Sequence, residues 1–185
     1  MPDKCIMVVT EPLHAVLLNR LLKRALSIEA EFYIGEGQIS LVTLARNILV
    51  HDGGPVFVVE DARTVDVEMA EQAAGMARMA MGYVASEEAF DAFAFMPQLE
   101  AVFFEAPSVL RRYLTGIHDL EMELGLYNSA PTLERLLARA GRTPESFYRE
   151  LDDCDLDALL AGPQLAAFIT AAEELFSRTA VAYSR

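Results

Sequence analysis

The chain has 185 residues and a 53% hydrophobic fraction, enough for a packed core in one domain or one domain with an appendage, which argues against wholesale disorder. Its net charge of −13, from 28 acidic and 15 basic residues, excludes any global electrostatic pull toward nucleic acid. Two cysteines, Cys5 and Cys154, do not make a disulfide framework, and no apolar stretch reaches the length of a membrane span.

Cys5-Ile6-Met7-Val8-Val9 is short, continuously apolar and rich in β-branched residues, which predicts a strand buried on both faces of a parallel sheet. Thr10 can cap the helix that follows, with Pro12 in its first turn and Leu13, Val16, Leu17, Leu21 and Leu22 at helical spacing. Residues 31–34 read as a second strand, and Gly35-Glu36-Gly37 as a turn. Ser40 can cap a second helix that ends at His51-Asp52-Gly53-Gly54, where glycines suit left-handed backbone. Residues 55–59 form the clearest strand, and Glu60-Asp61-Ala62-Arg63-Thr64 leaves its end. A third helix is expected over roughly residues 65–84; its methionines at 69, 76, 79 and 81 read as core at helical spacing. Residues 91–95 make a fourth strand.

Strands that alternate with helices predict an α/β fold with a mainly parallel four-stranded Rossmann-like sheet and helices on both faces. After residue 105 only helical patterns remain, near 107–116, 131–140, 144–152 and 163–177. The expected division is an α/β domain over residues 1–105 and a helical C-terminal extension over 106–185 packed on it. The N-terminal residues Met1–Lys4 lack the apolar stretch of a signal peptide, so a soluble cytoplasmic protein without membrane contact is expected.

Ligands of parallel α/β sheets bind at the carboxyl ends of strands, where strand order reverses. Glu11 follows the first strand, and Glu60 and Asp61 follow the third, so all three are expected on one edge. Acids gathered there repel one another unless a cation shares the site. Oxygen ligands suit a hard cation such as magnesium, which can bridge an acidic site to phosphate. Other residues carry less. His14, His51 and His118 lack ligand spacing; His14 lies one turn after Glu11 and can face the same edge, but a surface or capping role is the simpler reading. Gly35-Glu36-Gly37 lacks a phosphate-loop pattern. Arg111, Arg112, Arg135, Arg139 and Arg142 are expected to pair with nearby acids.

At these acidic residues the sequence resembles the Toprim fold, the metal-binding α/β domain of topoisomerases, bacterial primases and OLD-type nucleases. Val8-Val9-Thr10-Glu11-Pro12 stands at the place of its glutamate motif, and Val58-Val59-Glu60-Asp61-Ala62-Arg63 at the place of Asp-x-Asp. Met96-Pro97-Gln98-Leu99-Glu100-Ala101 is similar to the Pro-x-x-Glu segment of small stand-alone Toprim-like proteins. The resemblance covers roughly residues 4–105. It implies a magnesium-dependent nuclease or other phosphodiester-processing enzyme, with Glu11 as general base or metal ligand, Asp61 as metal ligand, and Glu60 completing the metal set. Asp66 and Glu100 are further candidates, with helix capping the simpler role for each. Nucleic acid would be reached through the bound divalent cation.

Two departures point elsewhere. Pro12 stands where the family has glycine, and Arg63 stands where it has the second aspartate. A guanidinium donates only and cannot ligate a metal. The alternative expectation is a non-catalytic Toprim-like module that binds a protein partner or forms a homo-oligomer, with Arg63 paired to Glu11 or Asp61 in place of the metal and the helical tail as interface.

Overall fold

In the computed structural model, residues 5–35, 37–52 and 54–182 are described. The reading of the N-terminal Met1–Lys4, and the parts of the two expected glycine turns that fall on Glu36 and Gly53, lie outside them. The chain folds as β1 (Cys5–Val9), α1 (Pro12–Leu26), β2 (Ala30–Ile34), α2 (Gln38–His51), β3 (Val56–Asp61), α3 (Val67–Gly82) and β4 (Phe90–Phe95). Seven further helices follow: α4 (Ala101–Glu105), α5 (Pro107–Tyr113), α6 (Asp119–Tyr127), α7 (Ser129–Arg139), α8 (Pro144–Glu150), α9 (Asp153–Leu160) and α10 (Pro163–Ala182). The fold is α/β, with a four-stranded, all-parallel sheet and a helical C-terminal stretch.

The strand order is β2-β1-β3-β4, every neighbouring pair parallel. The chain steps outward from β1 to β2, then crosses back over β1 to β3. Strand order therefore reverses between β1 and β3, and their carboxyl ends flank the crevice where such sheets bind ligands. Because crossovers keep one hand, the reversal puts α1 on one face and α2 and α3 on the other.

Side chains along each strand alternate between the two faces. Cys5, Met7, Val9, Phe57 and Val59 join the core on the α1 face, while Ile6, Val8, Val56 and Val58 join that on the α2–α3 face. Both faces are covered, which is why β1 and β3 read as unbroken apolar runs rather than alternating ones. Cys5 is a free, buried thiol, its pKa pushed up to about 11 by burial.

The C-terminal helices complete the α1 face. Phe168 of α10 packs against Phe57, Phe93 and Phe95 of the sheet at ring separations of 5.6, 5.7 and 5.5 Å. Arg20 of α1 donates to the carbonyls of Tyr148 and Leu151 at the end of α8, and Arg24 grips Asp157 of α9 through two 2.7 Å bonds. The free edge of β4 is closed by side chains. Gln164 mimics a neighbouring strand, accepting from Met96 N–H at 2.6 Å and donating to Met96 C=O at 2.8 Å, while Arg78 donates to Ala92 C=O at 2.7 Å. Such blocking suppresses edge-to-edge association.

Local expectations differ from the fold at identifiable places. β3 runs on through Glu60 and Asp61, so both acids are its last residues rather than the start of a loop. Thr10 does not cap α1; Glu11 holds the N-cap position, without a side-chain capping bond. Ser40 lies inside α2, whose N-cap is Gly37 in left-handed backbone at φ 78. Of the third-helix methionines, only Met81 is core; Met69, Met76 and Met79 are exposed. Helices α6 and α9 were not anticipated, although Asp152 caps α9 by accepting from Asp155 N–H.

Candidate functional site

The site forms where the carboxyl ends of β1 and β3 meet the turn after β4. The pleat separates the two neighbouring acids of β3. Asp61 has the parity of Phe57 and Val59 and turns to the α1 face; Glu60 has the parity of Val56 and Val58 and turns to the α2–α3 face. Glu60 is nevertheless buried, at 3% exposure. The pair is thus divided by the sheet, and Asp61 is the member that shares a face with α1.

Glu11 is exposed at the start of α1, with extended backbone at φ −138 and ψ 145. One turn later, His14 points inward and is almost wholly buried, at 3% exposure. Its Nε2 lies 3.2 Å from Glu100 Oε1, and its Nδ1 lies 3.2 Å from Thr10 Oγ1. A protonated ring donates to both. Glu100 arrives from the segment after β4, which turns through a cis Met96–Pro97 bond. The Tyr148 hydroxyl, from α8, donates to the same Oε1 at 3.3 Å, while Glu100 Oε2 is buried with no hydrogen-bond partner among the described residues. Asp61 Oδ1 accepts from Leu99 N–H at 3.0 Å, which ties the end of β3 to the same turn.

These contacts set the charge states. Burial alone pushes the His14 pKa down, but the hydrogen bond and charge of Glu100, with the fields of Asp61 and Glu11, outweigh it and hold the ring above its ordinary 6.5. Burial pushes Glu100 up, and the His14 bond and charge more than reverse that, so its pKa sits below the carboxylate norm. Both shifts favour an ion pair. Asp61 is pushed up to about 6, first by burial and then by the charges of Glu100 and Glu11 acting against the pull of His14. Tyr148 is held well above its ordinary value by burial beside Glu100, so it stays a donor.

Arg63 occupies the one non-glycine left-handed position of this edge, φ 55, and its N–H donates to Pro97 C=O at 2.7 Å. Its side chain is exposed and makes no ion pair among the described residues, so it does not bridge Glu11 or Asp61 as expected. It lines, with Thr10, Glu60, Asp61 and Met69, a cleft of about 310 Å³ beside the acids. Asp66 caps α3, accepting from Glu68 N–H and Met69 N–H.

Among the described residues, no three of histidine, cysteine, aspartate and glutamate are gathered so as to hold a metal ion. Glu11, Glu60 and Asp61 come to one edge but not into one ligand set, and the group set against the carboxylates is His14, whose ring they bias toward its protonated form. Sequence reasoning undervalued His14 and Glu100 and had no means of finding Tyr148. The usable signal was the one-turn spacing of Glu11 and His14 combined with the Pro-x-x-Glu segment.

The expected neutralisation of the other basic residues is largely present. Arg111 pairs with Asp119, Arg112 with Asp152 and Asp155, Arg139 with Glu121, and Arg142 with Glu150. No helix among the described residues is long and apolar enough to cross a membrane. Compared with family models, with curated proteins and with solved structures, the chain finds no match.

Proposed function

We propose that this chain is a Toprim-like module that acts by binding rather than by phosphodiester chemistry, its acidic edge closed by a protonated histidine where a Toprim enzyme would hold magnesium. The observation that carries this reading is the buried His14–Glu100 pair at 3.2 Å, set within the fields of Asp61 and Glu11. A magnesium ion placed among these acids would meet a resident positive charge, and the two cations repel. The residues present do not fit a magnesium centre: Arg63 stands where the usual set has an acid, and among the described residues the remaining acids are not gathered as ligands. Arg63, exposed on the rim of the cleft, instead supports a binding role for this edge.

Calorimetric titration of the whole chain with magnesium, paired with incubation on single- and double-stranded DNA, tests the reading. We expect no saturable magnesium binding up to millimolar concentration and no cleavage. Saturable binding together with magnesium-dependent cleavage, both lost in Glu11→Gln and Asp61→Asn, would establish the competing enzymatic reading and overturn this one.

A further inference from the structure

The third helix carries an outward-facing row that begins at the wall of the acidic cleft, where Met69, Gln72 and Met76 line it, and runs on beyond it. Met69, Gln72, Met76, Met79 and Tyr83 recur at alternating steps of three and four, and Val65 extends the row by one step before the helix begins. This is the spacing of a helix-pairing seam. The opposite face of α3, Ala70, Ala74, Ala77 and Met81, is the one buried on the sheet. The seam therefore faces outward, with Val65, Met69, Met76, Met79 and Tyr83 at 49, 58, 56, 61 and 76% exposure.

We propose that this seam pairs with the same seam of a second copy of the chain, the two α3 helices running antiparallel. It names the partner of the binding module proposed above. Three observations identify the occupant. The row is self-complementary: turned about its midpoint, Met69 meets Met79, Gln72 meets Met76, and Val65 meets Tyr83, as a two-fold axis requires. Its flanks are small, with Ala73, Gly75, Ala80 and Gly82, so two helix axes can approach closely. Taking roughly 200 Å² for each large side chain when fully open, the five exposed apolar residues amount to roughly 600 Å² per copy, at the lower end of what each partner gives to a specific interface.

Charge selects the antiparallel direction. Asp66 and Glu68 lie at the start of the seam. Arg46 of α2 lies at its far end, where it lines one cleft with Val84, and it makes no ion pair among the described residues. Antiparallel pairing sets the acids of each copy beside Arg46 of the other, twice per dimer; parallel pairing sets acids against acids.

Sedimentation equilibrium of the full chain, in buffer containing a chelator, reads the assembly independently of any metal at the acidic edge. We expect a species of twice the 20.4 kDa chain mass. Met76→Glu should weaken dimerisation at least about tenfold with an unchanged circular dichroism spectrum, since Met76 is exposed. Arg46→Glu and Glu68→Arg should each weaken it, and their combination should recover much of the loss. A monomer at all concentrations, or a dimer that Met76→Glu leaves intact, would overturn the proposal. A dimer lost in Met76→Glu but indifferent to both charge reversals would overturn the antiparallel arrangement. A magnesium-binding chain that still dimerises would fail the functional reading alone.

Discussion

Asp61 is held in a state that costs the fold stability. Its pKa is 3.8 in an open chain and about 6 here. Between those values the folded protein keeps a proton that the unfolded chain has released, so stability falls as pH rises through that window. His14 acts in the same direction. Its raised pKa contributes stability in full below 6.5, and the contribution is lost as pH rises through the folded value. Glu100 acts oppositely, contributing above 4.5 and losing that as pH falls through its lowered value. Mildly acidic solution is therefore where the site supports the fold best. Asp61→Asn keeps the acceptor for Leu99 N–H and removes the charge, so we predict a stabilisation of about 2 kcal/mol near pH 7 that vanishes near pH 4. Urea unfolding across that range checks it; equal stability of the two proteins at both ends would refute the assignment. Carboxylates that weaken the fold they sit in are expected where function, not stability, has kept them.

The elements differ in how plainly they announce themselves. β1 and β3 were readable because strands buried on both faces must be continuously apolar, and their order with α1 to α3 fixed the crevice and the edge on which Glu11 and Asp61 lie. What one strand cannot reveal is which of two adjacent acids shares a face with α1; the alternation that sends Glu60 away from Asp61 depends on where β3 ends. The α3 methionines were misread because helical spacing shows that residues share a face, not which face is covered. α4 was suggested only by the resemblance of Pro97-x-x-Glu100 to a helix-opening segment, because Ala101-Val102-Phe103-Phe104 is buried all round and so has no amphipathic period. α6 passes so close to α4 that a Cβ on Gly125 would lie 2.0 Å from the Phe104 ring. Gly125→Ala must displace a buried aromatic, and we predict a loss of about 2–3 kcal/mol, read by the urea midpoint. An unchanged midpoint would mean that α6 and α4 do not pack this closely.

At the scale of the whole molecule, the C-terminal helices are part of the core that the sheet needs. The sequence suggested a helical extension after residue 105 packed on the α/β part; in the fold Phe168 packs against Phe57, Phe93 and Phe95, and Tyr148 reaches the acidic edge itself. Such long-range contacts leave no local trace, which is why the site was only half legible. We predict that Phe168→Ala costs about 3–5 kcal/mol, and that a chain ending at residue 162 does not fold. Thermal unfolding of the full protein should show one transition; two well-separated transitions would mean that the helical part is stable by itself.

All three scales converge on the charge of His14, and its titration is the most direct test. Ring proton and carbon signals of His14, followed by NMR from acid to neutral pH, should give a pKa above 6.5 that falls in Glu100→Gln and is unmoved by millimolar magnesium. A value below 6.5, or a marked downward shift when magnesium is added, would contradict the account and return the acids to a metal.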